Sequence, residues 1–213
     1  RFSVVGVAGD GVRACELMQS CHPDVLALDL MLPKMDGIAV LKKAQELESA
    51  PRIIKFSPDG RFAYLICELK NYISVYTYKD GPRGPVFELV QTISTLNEYH
   101  SKGSAACVLR FSRDWNYVLC SNAGDNSVGI FKIDRVTGML EKICILPISG
   151  DYPKAADFFP DNRHIMALNH ESNTMTIFRI NYEKKYFSLW GKPLKVETPN
   201  CVLVSEIEEA PKQ

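Results

Sequence analysis

Three side chains stand out for the chemistry that their type and position allow. Asp29 closes the strand-like run "DVLALD". A carboxylate at the C-terminal end of a buried parallel strand lies at the sheet's ligand crevice. Glu68, in "CELKN", and Lys154, in "DYPKA", are an acid and a cation. The plainer alternatives are a strand-end residue without partners, a turn carboxylate and a solvated surface charge, in that order. His100, His164 and His170 show no spacing suited to a nucleophile or a metal, and His170 in "NHESN" reads as a β-turn residue. The seven cysteines, at 15, 21, 67, 107, 120, 144 and 201, are odd in number and lack metal-ligand pairing. That pattern predicts free, mostly buried thiols in a reducing cytoplasm. GxGxxG and P-loop patterns are absent, which removes the usual nucleotide signatures.

The elements that must position Asp29 fall in residues 1–50. "FSVVGVA" is β-branched and strand-like, and "GDG" breaks it. "VRACELMQSC" carries Val12, Leu17 and Met18 at a spacing that suits a helix packed on a sheet. "HPDVLALDL" reads as a buried strand and "MLPKMDG" as a loop, and "IAVLKKAQELE" returns to helical period through Ile38, Leu41 and Leu47. The order predicts a βαβα unit on a parallel sheet. "VVGVAGDG" and "DVLALDLMLPKMDGIAVL" resemble the phosphoacceptor region of response-regulator receiver domains of the sporulation-control type. That resemblance implies a partial flavodoxin-like fragment in which Asp29 is the phosphorylated aspartate of a phosphorelay and Ser57 the switch hydroxyl. The family's first strand, with its acidic pair, and its later lysine have no counterpart here. Mg²⁺ is therefore expected only if the Asp29 site functions, because Mg²⁺ demands a nearly complete oxygen octahedron.

Residues 51–213 change period. Three stretches begin at Phe56, Phe111 and Phe158, 55 and then 47 residues apart. Each reads Phe, turn, apolar strand, polar turn and an alternating strand: "ISVYTY", "VGIFKI" or "MTIFRI". A unit of that length built from several short strands predicts propeller blades, here three four-stranded antiparallel sheets. "PRIIKFSPDGRFAYLICELKNYISVYTY", "SAACVLRFSRD", "LCSNAGDNSVGIFKID" and "DYPKAADFFPD" resemble the lactonase propeller family, which includes propeller-type 6-phosphogluconolactonases. "TPNCVLV" is similar to that family's C-terminal strand. The resemblance implies the last three blades of a seven-bladed ring, a sugar-lactone substrate and hydrolysis without a metal. It also implies that Glu68 is the base and Lys154 a substrate-holding cation. Three departures from the family pattern imply a catalytically degenerate fragment, with a non-catalytic fusion protein as the alternative: Cys67 where the family has Asn, Ala123 where it often has Arg, and "YPK" where it has "WPR".

The two resemblances meet in "PRIIKFS", and the overlap predicts a chimera, natural or recombined, whose joining strand at 52–57 pairs with the blade that follows it. Composition permits this reading. The chain has 213 residues, 46% hydrophobic and 23% charged, with no net charge. Neither nucleic acid nor a membrane is an expected partner, and the apolar runs are too short to span a bilayer. Alternating Tyr64, Tyr76, Tyr78, Phe131 and Phe178 read as blade packing. Three blades leave two apolar faces without neighbours, so a homo-oligomer through those faces is expected.

Overall fold

The computed structural model describes residues 4–21, 26, 32–35, 39, 40, 43, 53–81, 84–99 and 103–205. The chain divides into two units, Arg1–Arg52 and Ile53–Gln213.

In the larger unit, β1 (Ile53–Phe56), β2 (Phe62–Cys67), β3 (Tyr72–Gly81) and β4 (Gly84–Ser94) form one antiparallel sheet in chain order. A second sheet contains β5 (Ala105–Phe111), β6 (Tyr117–Ala123), β7 (Ser127–Ile133) and β8 (Leu140–Pro147). A third contains β9 (Pro153–Phe158), β10 (His164–Asn169), β11 (Thr174–Asn181) and β12 (Tyr186–Leu189). This last sheet gains a fifth member, β13 (Leu194–Lys195), which pairs with the start of β11. Pro193 cannot donate to a ladder and Gly191 sits at φ 81°, so the outer edge breaks there and resumes.

Stacking of the sheets follows from the two-residue period of their strands. Phe62, Tyr64, Ile66, Ile73 and Val75 of the first blade pack against Leu109, Val118, Phe131 and Leu140 of the second. The opposite face of the second blade, through Val108, Leu119, Val128 and Ile130, packs on Phe158, Ile165, Phe178 and Ile180 of the third. Each fully buried side chain of this size contributes roughly 1.5–3 kcal/mol.

Two turn devices recur. Where β1 leads into β2, Ser57 Oγ donates to Asp59 Oδ1 at 2.6 Å and accepts the Phe62 N–H at 3.0 Å. Ser112, Asp114 and Tyr117 repeat this contact for contact in the second blade. At the other end, Asn71, Asn126 and Asn173 stand at φ 52°, 53° and 53°, a left-handed conformation Asn tolerates. Their carbonyls accept the N–H groups of Thr95, Ile148 and Val196, tying each inner hairpin to the chain beyond the outer strand.

β1 pairs antiparallel with β2, Ile53 opposite Ile66 and Phe56 opposite Ala63, so the joining strand is part of the first blade. The closing strand expected at 198–204 is not formed. Cys201–Ser205 have no ladder partner, and the segment is held instead through the Val204 N–H on the Asp157 carboxylate.

In the smaller unit, α1 (Gly11–Cys21) opens on Asp10, whose Oδ1 accepts the Arg13 N–H at 2.9 Å and whose Oδ2 takes Lys34 Nζ at 2.7 Å. Its buried face is Ala14, Cys15 and Met18 against Val40; of the face expected through Val12, Leu17 and Met18, Met18 is buried, Leu17 half-buried and Val12 exposed. Val4–Ala8, expected as a strand, are not one, and Val4, Val5 and Val7 are exposed. β-branched composition yields a strand only where a ladder partner and a face to bury supply the stability. Asp29 with its strand, and Ile38, Leu41 and Leu47 of the second helix, lie outside the described residues, where Ala39, Val40 and Lys43 alone represent that helix. Among the described residues of this unit there is helix and no strand, so the expected βαβα fragment is not shown.

Candidate functional site

The repeated β-turn builds one face of the larger unit. The last ladder pairs before it are Cys67 with Tyr72, Asn122 with Ser127 and Asn169 with Thr174. The residue that follows the first member of each pair is Glu68, Ala123 and His170. Each lies twelve residues beyond the phenylalanine that opens its repeat. The three side chains therefore occupy one position in three consecutive blades.

Glu68 is fixed by its backbone. Its carbonyl accepts the Ala106 N–H at 2.9 Å, docking the first blade's turn on the start of β5, one residue from Cys107. Its side chain is exposed, yet the protein packed around it raises the carboxyl above the ordinary value by desolvation. Burial also raises the Cys107 thiol, on which Glu68 and Lys154 act with opposite signs. Cys107 Sγ donates to the Ala105 carbonyl at 3.4 Å, so it stands here as a protonated, inert thiol.

Lys154 enters from β9, with its ammonium 5.8 Å from the centroid of the Tyr152 ring. Tyr152 is held at φ 59°, a left-handed conformation costly for an aromatic residue. Two neighbouring turns impose it: the Tyr152 N–H donates to Asn126 Oδ1 at 2.8 Å, and its carbonyl accepts the His170 N–H at 3.0 Å. Burial, followed by the charges of Cys107, Glu171 and Glu68, raises its phenol. Glu68, Cys107, Tyr152 and Lys154 thus share one electrostatic neighbourhood, with His170 bonded to its edge.

Ser57 lies at the opposite end of the blades, in the β1–β2 turn. It borders a cleft with Asp59, Arg61, Asp114, Trp115 and Arg135. The charges there engage one another: Arg61 Nε lies 2.7 Å from Asp59 Oδ2 and its guanidinium donates to the Arg135 carbonyl, while Arg135 donates to the Asp114 carbonyl. Glu68 and Lys154 each act on the Cys107 thiol, Ser57 lies apart from them, and Asp29 is outside the described residues. Among the described residues no three His, Cys, Asp or Glu side chains are grouped to hold a metal ion. All seven cysteines are free, and no helix among the described residues is long and apolar enough to cross a membrane.

Reading the sequence for motifs missed Cys107, Tyr152 and His170. The signal that finds two of them is the repeat offset. His170 shares the offset of Glu68, and Cys107 shares that of Lys154, each four residues before its repeat's opening phenylalanine.

The family described as "Lactonase, 7-bladed beta-propeller" matches residues 39–204. The 6-phosphogluconolactonase of Bacillus subtilis is 24% identical over 189 residues, covering 85% of this chain and 54% of that protein. That coverage exceeds what residues 51–213 make up, so the likeness reaches into the first fifty residues. An uncharacterized protein of Lactococcus lactis subsp. cremoris is 31% identical over 152 residues, covering 71% of this chain and 44% of that protein. Among solved structures, the periplasmic gluconolactonase of Pseudomonas aeruginosa superposes with TM-score 0.64 at 21% identity, covering 74% of this chain and 48% of that one. A protein from Lactobacillus plantarum gives 0.61 at 25% identity, with 68% and 42% covered. The chain spans about half the length of the curated relatives it matches.

Proposed function

This chain belongs to the seven-bladed β-propeller lactonase family, and we propose on that premise that it hydrolyses sugar lactones of the 6-phosphogluconolactone class, weakly, with Glu68 as base. The observation that carries the reading is the carboxyl of Glu68, made more basic by desolvation and sharing a neighbourhood with Lys154. A carboxylate removed from its hydration is a better proton acceptor near neutral pH.

The step balances without a cofactor. Water gives a proton to Glu68 as its oxygen bonds to the lactone carbonyl carbon. The ring carbon–oxygen bond then breaks, and the departing oxygen takes the proton from Glu68 to become the hydroxyl of an aldonic acid. Lys154 supplies a point charge for a phosphate or carboxylate, with less geometric definition than a guanidinium fork. Ala123 leaves the middle blade without a polar group at the shared turn position, and this supports slow turnover.

The deciding measurement is release of acid from 6-phosphogluconolactone by the full chain, above the spontaneous rate. Glu68→Gln is expected to lower kcat by about a hundred-fold, the scale of a lost general base. Equal activity in variant and parent rejects Glu68 as base. No activity above background in the folded parent rejects hydrolysis altogether.

A further inference from the structure

We propose that His170 is a second substrate-contacting group on this face, its Nε2 accepting a hydrogen bond from a hydroxyl of a polyhydroxylated ligand. The inference rests on the lactone reading above and adds a residue to its site.

The turn position comes first. Glu68 and His170 follow equivalent ladder pairs in the first and third blades. The equivalent residue between them, Ala123, is a buried methyl group with no polar atom on its side chain. The N–H of His170 is bonded to the Tyr152 carbonyl, and the charge of Glu68 bears on that same Tyr152. Both residues therefore border one neighbourhood.

The proton position comes second. His170 Nδ1 lies 3.3 Å from the Pro199 carbonyl oxygen, which carries no hydrogen. Nδ1 must be the donor, and a neutral imidazole has one N–H, so Nε2 carries the lone pair. This leaves Nε2 as the ring's acceptor. Its complement is a hydroxyl, which several carbons of an open or cyclic sugar acid offer. The segment that fixes the ring, residues 199–204, is itself tied to β9, the edge strand of the third sheet, by Val204 on Asp157.

Side-chain ¹H–¹⁵N correlation spectra of the full chain at neutral pH decide the first half. The Nδ1–H tautomer of His170 is expected, and the Nε2–H tautomer overturns the proposal. Titration with 6-phosphogluconate, the stable hydrolysis product, decides the second half. His170→Ala is expected to raise Kd roughly three- to ten-fold, the worth of one neutral hydrogen bond. His170→Gln, which places a carbonyl oxygen near the same point, is expected to recover part of that loss, which a merely structural role would not show. Unchanged Kd in His170→Ala, with kcat still lowered in Glu68→Gln, overturns the role of His170 and leaves the lactone reading standing. A parent chain that neither binds 6-phosphogluconate nor hydrolyses its lactone overturns both.

Discussion

Glu68 is exposed to solvent and yet is harder to ionise than a free glutamate, the two properties that its proposed role as base requires. Water can reach it, and its conjugate acid holds the proton more firmly than the ordinary value of 4.5 allows. The sign of the pH dependence follows. The base works ionised, so kcat/KM should fall on acidification, with a midpoint above 4.5, and should level off toward neutral pH. A pH profile of lactone hydrolysis checks this. A limb centred at or below 4.5 would assign the acidic titration to some other, undisturbed carboxylate. At this scale the sequence was informative through its repeats more than its motifs. Glu68 and Lys154 were legible because family words surround them, whereas His170 carries no such word. The repeat position it shares with Glu68 becomes visible only when residues are counted from the opening phenylalanines, and its contact with the Pro199 carbonyl only in the structure. Asp157 and Arg110 make the same point. They hold one position in neighbouring inner strands, Arg110 Nε 3.5 Å from Asp157 Oδ2, yet nothing in "RFSRD" or "DFFPD" announces an ion pair.

At the scale of elements, each blade is pinned to the next by a few contacts that periodicity cannot show. Tyr64 is buried on β2, and its hydroxyl donates to the Gly138 carbonyl in the β7–β8 turn at 3.0 Å. Gly138 itself stands at φ 74°, and a Cβ there would lie 2.6 Å from Phe62 Cγ. Two substitutions separate the pin from the space it needs. Tyr64→Phe loses one hydrogen bond and should cost about 1 kcal/mol. Gly138→Ala meets both the left-handed backbone and the Phe62 ring, and should cost about 2–3 kcal/mol. Urea unfolding of the two variants tests the order, and an alanine variant no less stable than the phenylalanine one would show that the turn yields freely. The strands were legible because alternation is a local property, and β1 through β12 fall where the three repeats put them. The first fifty residues were less so. Val4, Val5 and Val7 have strand composition without a strand, and α1 buries Ala14 and Cys15 in preference to Val12, because small side chains permit the close approach of Val40 and Met35. Likewise "TPNCVLV" has a strand's composition, but at β9 it finds one carboxylate and no ladder.

At the scale of the whole molecule, the decisive fact is that stacking uses both faces of the middle blade and one face of the first. Tyr64 and Val75 of the first blade point toward the second. Residues of the other parity, Ile54, Phe56, Phe87 and Leu89, are 37%, 39%, 43% and 59% exposed. They are not scattered. Phe56 and Phe87 each lie about 5 Å from Tyr78, at 5.2 Å between ring centroids, so an aromatic cluster faces outward. On the third blade the outer margin carries exposed Tyr186, Leu189, Trp190 and Leu194. Contiguous apolar surface of this kind marks an interaction site or an aggregation hazard, and an outer strand beside it offers unpaired backbone groups. Self-association through these faces is therefore expected, driven by apolar burial and insensitive to salt. Size-exclusion chromatography with light scattering should show a dimer or larger species at micromolar concentration. Phe87→Lys combined with Leu89→Lys should shift it toward monomer while the circular dichroism of the strands is kept. Both side chains stand on the solvent side of the sheet, so their removal leaves the core between the first and second blades untouched. A parent protein that elutes as a clean monomer would mean that the outward cluster is tolerated by one chain alone, and that the blades meet no second copy.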